Sequence, residues 1–196
     1  MALEIPLILG TVREGRKSEH VARFVHARLR ARPGLTSMFV DPRDWGFGNL
    51  QGRVTELPDL GGPEPTIAVT PRLREFILAM HAADGFVVVT PEYNYSFPGA
   101  LKNLLDVTWK PWARKPFGLV GCGGVSGGLR ALDALRQVVS GLGAVTVPAH
   151  LPVPGVEKSF GPDGPTADRE SWERRVDKFL DDVEWYAKAL KAARGQ

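Results

Sequence analysis

The stretch that decides the fold is Gly85-Phe86-Val87-Val88-Val89-Thr90-Pro91-Glu92-Tyr93-Asn94-Tyr95-Ser96-Phe97-Pro98-Gly99. Gly85 to Thr90 is a continuous, valine-rich apolar run, the pattern of a central parallel strand buried on both faces. It breaks into a turn in which Pro91 and Pro98 bracket two tyrosines, a phenylalanine, an asparagine and a carboxylate. Structural aromatics usually occur singly, at helical or strand period. A cluster of them in a proline-bracketed turn is a candidate wall for a planar heteroaromatic ligand, with flat apolar faces and amide groups for its polar edge.

Working outward, strands and helices alternate. Ile5 to Leu9 reads as a short buried strand ending at Gly10. Val21, Phe24, Val25 and Leu29 then fall at helical spacing before Pro33-Gly34. Thr36 to Val40 reads as a second strand. Thr70-Pro71 fits a helix N-cap and first turn, with Leu73, Phe76, Ile77 and Met80 following at helical spacing. Beyond Gly99 come a helix through Leu101, Leu104 and Leu105, a strand at Phe117 to Val120, and a helix from Leu129 to Leu142. A fifth strand at Val145 to Val147 and a long last helix from Trp172 to Leu190 complete the series. Five strands alternating with five helices predict an α/β fold, a flavodoxin-like three-layer α/β/α sandwich with a five-stranded parallel sheet. Residues 41–70, rich in Gly and Pro but holding Trp45 and Phe47, read as a long surface connection.

At 196 residues a single domain over 1–196 is expected, and 43% hydrophobic with 24% charged residues suits a globular protein. No apolar run approaches the roughly 18 residues of a membrane span. The start, Met1 to Pro6, lacks the positive segment and cleavage site of a secretory signal, so a cytoplasmic protein is expected. One cysteine, Cys122, excludes an internal disulfide and a cysteine-built metal site. The formal charge is +3 and the pI near 9.2. The excess sits in residues 1–32, where seven basic residues face three acids. Arg23 to Arg32 read as a solvated helix face, like Asp181, Asp182 and Glu184 near the C-terminus.

Parallel sheets bind ligands beyond the carboxyl ends of their strands, and that rule selects three loops. Gly10-Thr11-Val12-Arg13-Glu14-Gly15-Arg16-Lys17-Ser18 leads into a helix. Its backbone N–H groups, its Thr11 and Ser18 hydroxyls and its Arg13 and Lys17 charges fit either a phosphate cradle or a polar turn with a capping serine. It is not a P-loop, because Arg16 separates Gly15 from Lys17 and no acidic strand end follows. The aromatic turn is the second loop. Gly121-Cys122-Gly123-Gly124-Val125-Ser126-Gly127-Gly128 is the third, where glycines let backbone approach a ligand. Ser126 replaces the third glycine of a dinucleotide fingerprint, and no acidic residue lies in 143–150 to hold a ribose.

Taken together, Gly10 to Arg16, Pro91 to Asn103 and Gly123 to Gly128 resemble the three signatures of the NADPH-dependent FMN reductase family, which includes flavodoxin-like quinone, azo and chromate reductases. Order and spacing match over about residues 3–150, and the middle signature is the specific one. The resemblance implies non-covalent FMN. Thr11, Arg13 and Ser18 would hold its phosphate, Pro91, Glu92, Tyr93, Asn94 and Tyr95 would line the isoalloxazine, and Gly123, Gly124 and Ser126 would meet its other edge. It further implies NAD(P)H as co-substrate, hydride transfer to flavin N5, and a small-molecule acceptor: a quinone, azo compound, flavin or metal ion. No catalytic side chain is then expected, since the flavin carries the chemistry. Neither a metal site, a nucleic acid nor a membrane partner is expected; His20, His26, His81 and His150 show no metal-ligand spacing. A homodimer or homotetramer is implied, with Trp109 or Trp112 at a subunit contact. Glu92 reads as a structural hydrogen-bonding group and Cys122 as a small space-filler. The alternative is a flavodoxin-like electron carrier without enzymatic activity, against which the basic pI speaks.

Overall fold

Proline at position 6 cuts the first expected strand in two. In the computed structural model, which describes residues 2–195, Leu3–Glu4 pairs in parallel with Leu35–Thr36. Leu7–Leu9 (β1) pairs in parallel with Phe39–Val40 (β2). Pro6 has no N–H to give to the ladder, but the chain stays extended across it, with Ile5 N donating to Thr36 O at 2.9 Å and Leu7 N to Met38 O at 2.9 Å.

The main sheet adds β3 (Phe86–Pro91), β4 (Pro116–Cys122) and β5 (Val145–Val153) in the order β2-β1-β3-β4-β5, every pair parallel. This is the doubly wound arrangement the alternation predicts. All six residues of β3 are buried, and Val88 sits in register with both Ile8 and Leu119. Strand β5 runs six residues past the expected Val147, through Pro148 and Pro152. It is an edge strand, where proline is tolerated because one side of the ladder is unpaired.

Helices α1 (Ser18–Arg30) and α6 (Arg169–Ala193) cover one face, where Leu9, Val25, Phe179 and Val183 pack together. Helices α3 (Pro71–Ala82), α4 (Gly99–Asp106) and α5 (Leu129–Gly141) cover the other, around Ile77, Leu105 and Leu135. Thr70 caps α3 by accepting from Leu73 N at 3.2 Å.

Three expectations are corrected. Residues 41–70 run largely over the surface, as expected, but are more than a connection. They include the short helix α2 (Pro42–Trp45), and Trp45, Val54 and Leu57 are buried, with Trp45 edge-on to Phe76 at 5.1 Å. Trp112 is no subunit contact: it is fully buried, and its Nε1 donates to Leu105 O and Thr108 O, both at 3.0 Å. Trp109 is half-buried against the same core. Finally, the basic face of α1 is not simply solvated. Arg28 donates to Asp177 at 3.1 Å, and Arg32 to Glu184 at 3.1 Å and to Asp181, so the two charged faces neutralise one another across the helix pair.

Candidate active site

The three loops chosen from the sequence converge. With a fourth segment they enclose a cleft of about 810 Å³ at the carboxyl ends of β1, β3, β4 and β5, lined by residues 13–18, 91–93, 122–125 and 154–158. That volume lies within the usual range of small-molecule and cofactor sites.

At one end lies the loop before α1. Gly15 turns the chain at φ +62, a conformation that favours glycine. The backbone N–H groups of Glu14, Gly15, Arg16 and Lys17 find no acceptor among the described residues. Ser18 is buried, and its Oγ is likewise unpartnered, although an unsatisfied buried hydroxyl is costly. Two other buried hydroxyls lack partners, Ser37 and Thr108, but only Ser18 lines the cleft. Ser18 is therefore not a cap. A run of open N–H groups and a free hydroxyl, at the positive end of a 13-residue helix, form a concavity suited to an anion. Arg13, Lys17 and Lys158 line it with positive charge.

Thr11 is placed differently from the expectation. Its hydroxyl accepts from Arg13 N at 3.2 Å, shares a hydrogen bond of 3.0 Å with the Tyr93 hydroxyl, and does not line the cleft. It joins the anion loop to the aromatic turn. The sequence marks Arg16 as an interruption of a P-loop and the end of the first signature, but not as the residue that shapes the loop. Its buried guanidinium donates to Thr11 O at 2.6 Å, to Glu19 at 3.0 Å, and to both carboxylate oxygens of Asp41. Burial alone would raise the Asp41 pKa. Hydrogen bonds from Arg16 and Arg43 outweigh it and hold the carboxyl below the ordinary range. The signal available in the sequence was Asp41, an acid at the end of an apolar strand.

The aromatic turn supplies the second wall through Pro91, Glu92 and Tyr93. Asn94 and Tyr95 sit at its exposed tip, outside the cleft lining. Glu92 acts as a staple: it accepts from Ser126 Oγ at 3.1 Å, Arg130 N at 3.2 Å and Arg130 Nη1 at 3.0 Å. Burial pushes its pKa up, but these bonds prevail and keep it ionised. Ser126 is thus occupied with Glu92, and Gly123 and Gly124 line the cleft directly. The glycine loop folds back tightly: Gly128 has φ +86, and a Cβ there would lie 2.6 Å from Cys122 N. The N–H groups of Gly124 and Val125 also lack acceptors among the described residues. Burial raises the Cys122 thiol well above its ordinary pKa, so no thiolate is offered to the cleft.

The fourth wall, residues 154–158, was not anticipated. Gly155 N donates to Gly124 O at 2.9 Å and Val156 N to Gly123 O at 3.3 Å, which docks the segment onto the glycine loop. The two prolines in β5 hid its continuation from a reading by periodicity.

An open parallel sheet, with an anion cradle and an aromatic wall at one carboxyl edge, defines a phosphate-bearing aromatic cofactor protein of the flavodoxin class. Comparison with known proteins gives the family. The chain belongs to the NADPH-dependent FMN reductase family, whose model matches residues 3–158. It is 32% identical over 190 residues to the "Probable NADPH:quinone oxidoreductase 2" of Oryza sativa subsp. japonica, covering 91% of this chain and 86% of that one. It is 30% identical over 151 residues to the 2-hydroxy-1,4-benzoquinone reductase of a Burkholderia species, covering 77% and 69%. Among solved structures, the flavoenzyme NAD(P)H:(acceptor) oxidoreductase of Paracoccus denitrificans superposes with a TM-score of 0.69 at 19% identity, over 95% of this chain and 98% of that one, a likeness of fold. Among the described residues no helix is long and apolar enough to cross a membrane.

Proposed function

We propose that the chain works as one domain that binds FMN in this cleft and uses NAD(P)H to reduce a small-molecule acceptor. The observation that carries the reading is the buried, unpartnered Ser18 hydroxyl beside open backbone N–H groups at the head of α1. Such an arrangement is costly in an empty site and satisfied by a phosphate.

In this reading Ser18 and the N–H groups of residues 14–17 donate to the phosphate, and Arg13 and Lys17 supply countercharge. Pro91 to Tyr93 form the wall for the ring, and Gly123 and Gly124 leave room for its opposite edge. Thr11 braces the loop through Tyr93. The bound flavin supplies the hydride chemistry itself. The open N–H groups of Gly124 and Val125 are suited to favouring negative charge at the polar edge of the ring, and the Glu92 staple fixes the spacing of the two walls. The quinone reductases among the relatives, together with an NADPH azoreductase from a Bacillus strain, 32% identical over 118 residues, support quinone and azo compounds as acceptors. We further propose a cytoplasmic homodimer or homotetramer.

Reconstitution with FMN, FAD and ATP tests the cofactor. Tight, stoichiometric FMN with a shifted flavin spectrum is expected; tight ATP binding without FMN binding contradicts the reading.

A further inference from the structure

Tyr95 is built into a conformation that tyrosine rarely adopts, and burial does not repay it. Tyr93 N donates to Ser96 O at 2.8 Å and Ser96 N to Tyr93 O at 3.0 Å, closing a two-residue hairpin over Asn94 and Tyr95. Both central residues are left-handed, at φ 49 and φ 70. Asn-Gly is the sequence such a turn prefers; here asparagine holds the first place and a tyrosine occupies the glycine position. The residue is 70% exposed, so burial does not compensate for the backbone strain. Strain of this kind concentrates at functional positions.

The ring is nevertheless held. The Arg130 guanidinium lies 4.3 Å from its centroid, and Arg130 is fixed in turn by Glu92, the carboxylate that staples the two walls of the cleft. One face of Tyr95 is covered by a cation and the other is open, two residues from Tyr93 in the cleft wall. Val125, fully exposed, lines the cleft one residue before Ser126, which the same Glu92 holds. Resting on the proposed reductase function, we infer that Tyr95 is a specificity-determining residue whose open face forms a rim for a planar, electron-poor aromatic acceptor. A phenol ring held in place by Arg130 suits an offset stack with a quinone ring and gives a compact inorganic acceptor no flat surface to stack on.

The test uses the full chain loaded with FMN, with 1,4-naphthoquinone and ferricyanide as acceptors at saturating NADPH. In Tyr95→Gly the naphthoquinone KM should rise about five- to tenfold, the scale of one aromatic pair, while its kcat and the ferricyanide KM hold within about twofold. Relief of strain should raise the melting temperature by about 2–4 °C, and Tyr95→Phe should keep the wild-type KM. An unchanged naphthoquinone KM, or equal shifts for both acceptors, overturns the proposal. So does dissociation of an oligomer with unchanged KM, which would make Tyr95 a contact with a second copy. Naphthoquinone is also titrated calorimetrically into both proteins. An affinity that does not differ overturns the rim even if NADPH turnover fails and the reductase reading with it.

Discussion

Arg16 and Asp41 form a two-pronged, buried ion pair that ties the anion loop to the end of β2: Arg16 Nη1 donates to one carboxylate oxygen at 2.9 Å and Nη2 to the other. Both side chains are almost wholly shielded from water, and Asp41 also accepts from Arg43 N at 3.0 Å to cap α2. Removing one partner leaves a buried charge unpaired, at a cost of about 3–5 kcal/mol. Arg16→Met should therefore lower stability by that order. Arg16→Met with Asp41→Leu should recover most of the loss. Denaturant titration of the single and double variants checks the coupling; additive losses would show that the two residues do not act as a pair.

Ser18→Ala separates fold from ligand. The hydroxyl has no protein partner, so its removal should leave the stability of the apoprotein unchanged or slightly raised. FMN affinity should fall by about 1.5–3 kcal/mol, the scale of a hydrogen bond to a charged group. Arg13→Ala should weaken FMN by a similar amount. Calorimetric titration of FMN, beside melting curves of the apoprotein, reads both effects.

Glu92→Ala should loosen the two walls together, because Ser126 Oγ, Arg130 N and Arg130 Nη1 lose their acceptor at once. Half of the Arg130 side chain is exposed, which limits the ion pair itself to about 1 kcal/mol or less. The clearer effect should be spectroscopic: a flavin absorption band closer to that of free FMN, with affinity reduced several-fold. An unaltered spectrum would remove Glu92 from the site.

Lys115 gives a pH dependence at the opposite end of the sheet. Its Nζ donates to Met80 O at 2.9 Å and His81 O at 2.7 Å, and burial lowers its pKa to about 7. Nearby Arg194 contributes to that lowering, while Asp84 and Glu56 act the other way. The unfolded value is near 10.4, so between about 7 and 10 the unfolded chain holds a proton that the native chain lacks. Stability should rise with pH across that window, by at most about 1.4 kcal/mol per unit, and the gain should be absent below pH 7. Lys115→Met should flatten the slope. Unfolding free energies at pH 6.5, 8 and 9.5 for both proteins decide it.

Much of this architecture was legible in the sequence because its signals are local. The valine run of β3 is buried along its whole length, and Thr70 and Pro71 start α3 where cap chemistry requires. The three ligand loops lie beyond strand ends, where parallel topology gathers them into one cleft. What escaped notice depends on partners distant in sequence. Arg16 finds Asp41 25 positions away, and Arg28 finds Asp177 149 positions away. Neither pairing has a periodic signature. Residues 154–158 join the cleft because β5 continues through two prolines, a pattern that reads locally as strand termination. Thr11 carries the hydroxyl expected of a phosphate ligand, but its neighbour Tyr93 engages that hydroxyl instead.

The central claim is tested most directly by anaerobic mixing of the FMN-loaded protein with NADPH, followed at the flavin absorption band. Complete bleaching on the scale of turnover, reversed on addition of a quinone, is the expected result. A protein that binds FMN but is not bleached by NADPH or NADH would contradict the reductase account and leave the electron-carrier role in its place.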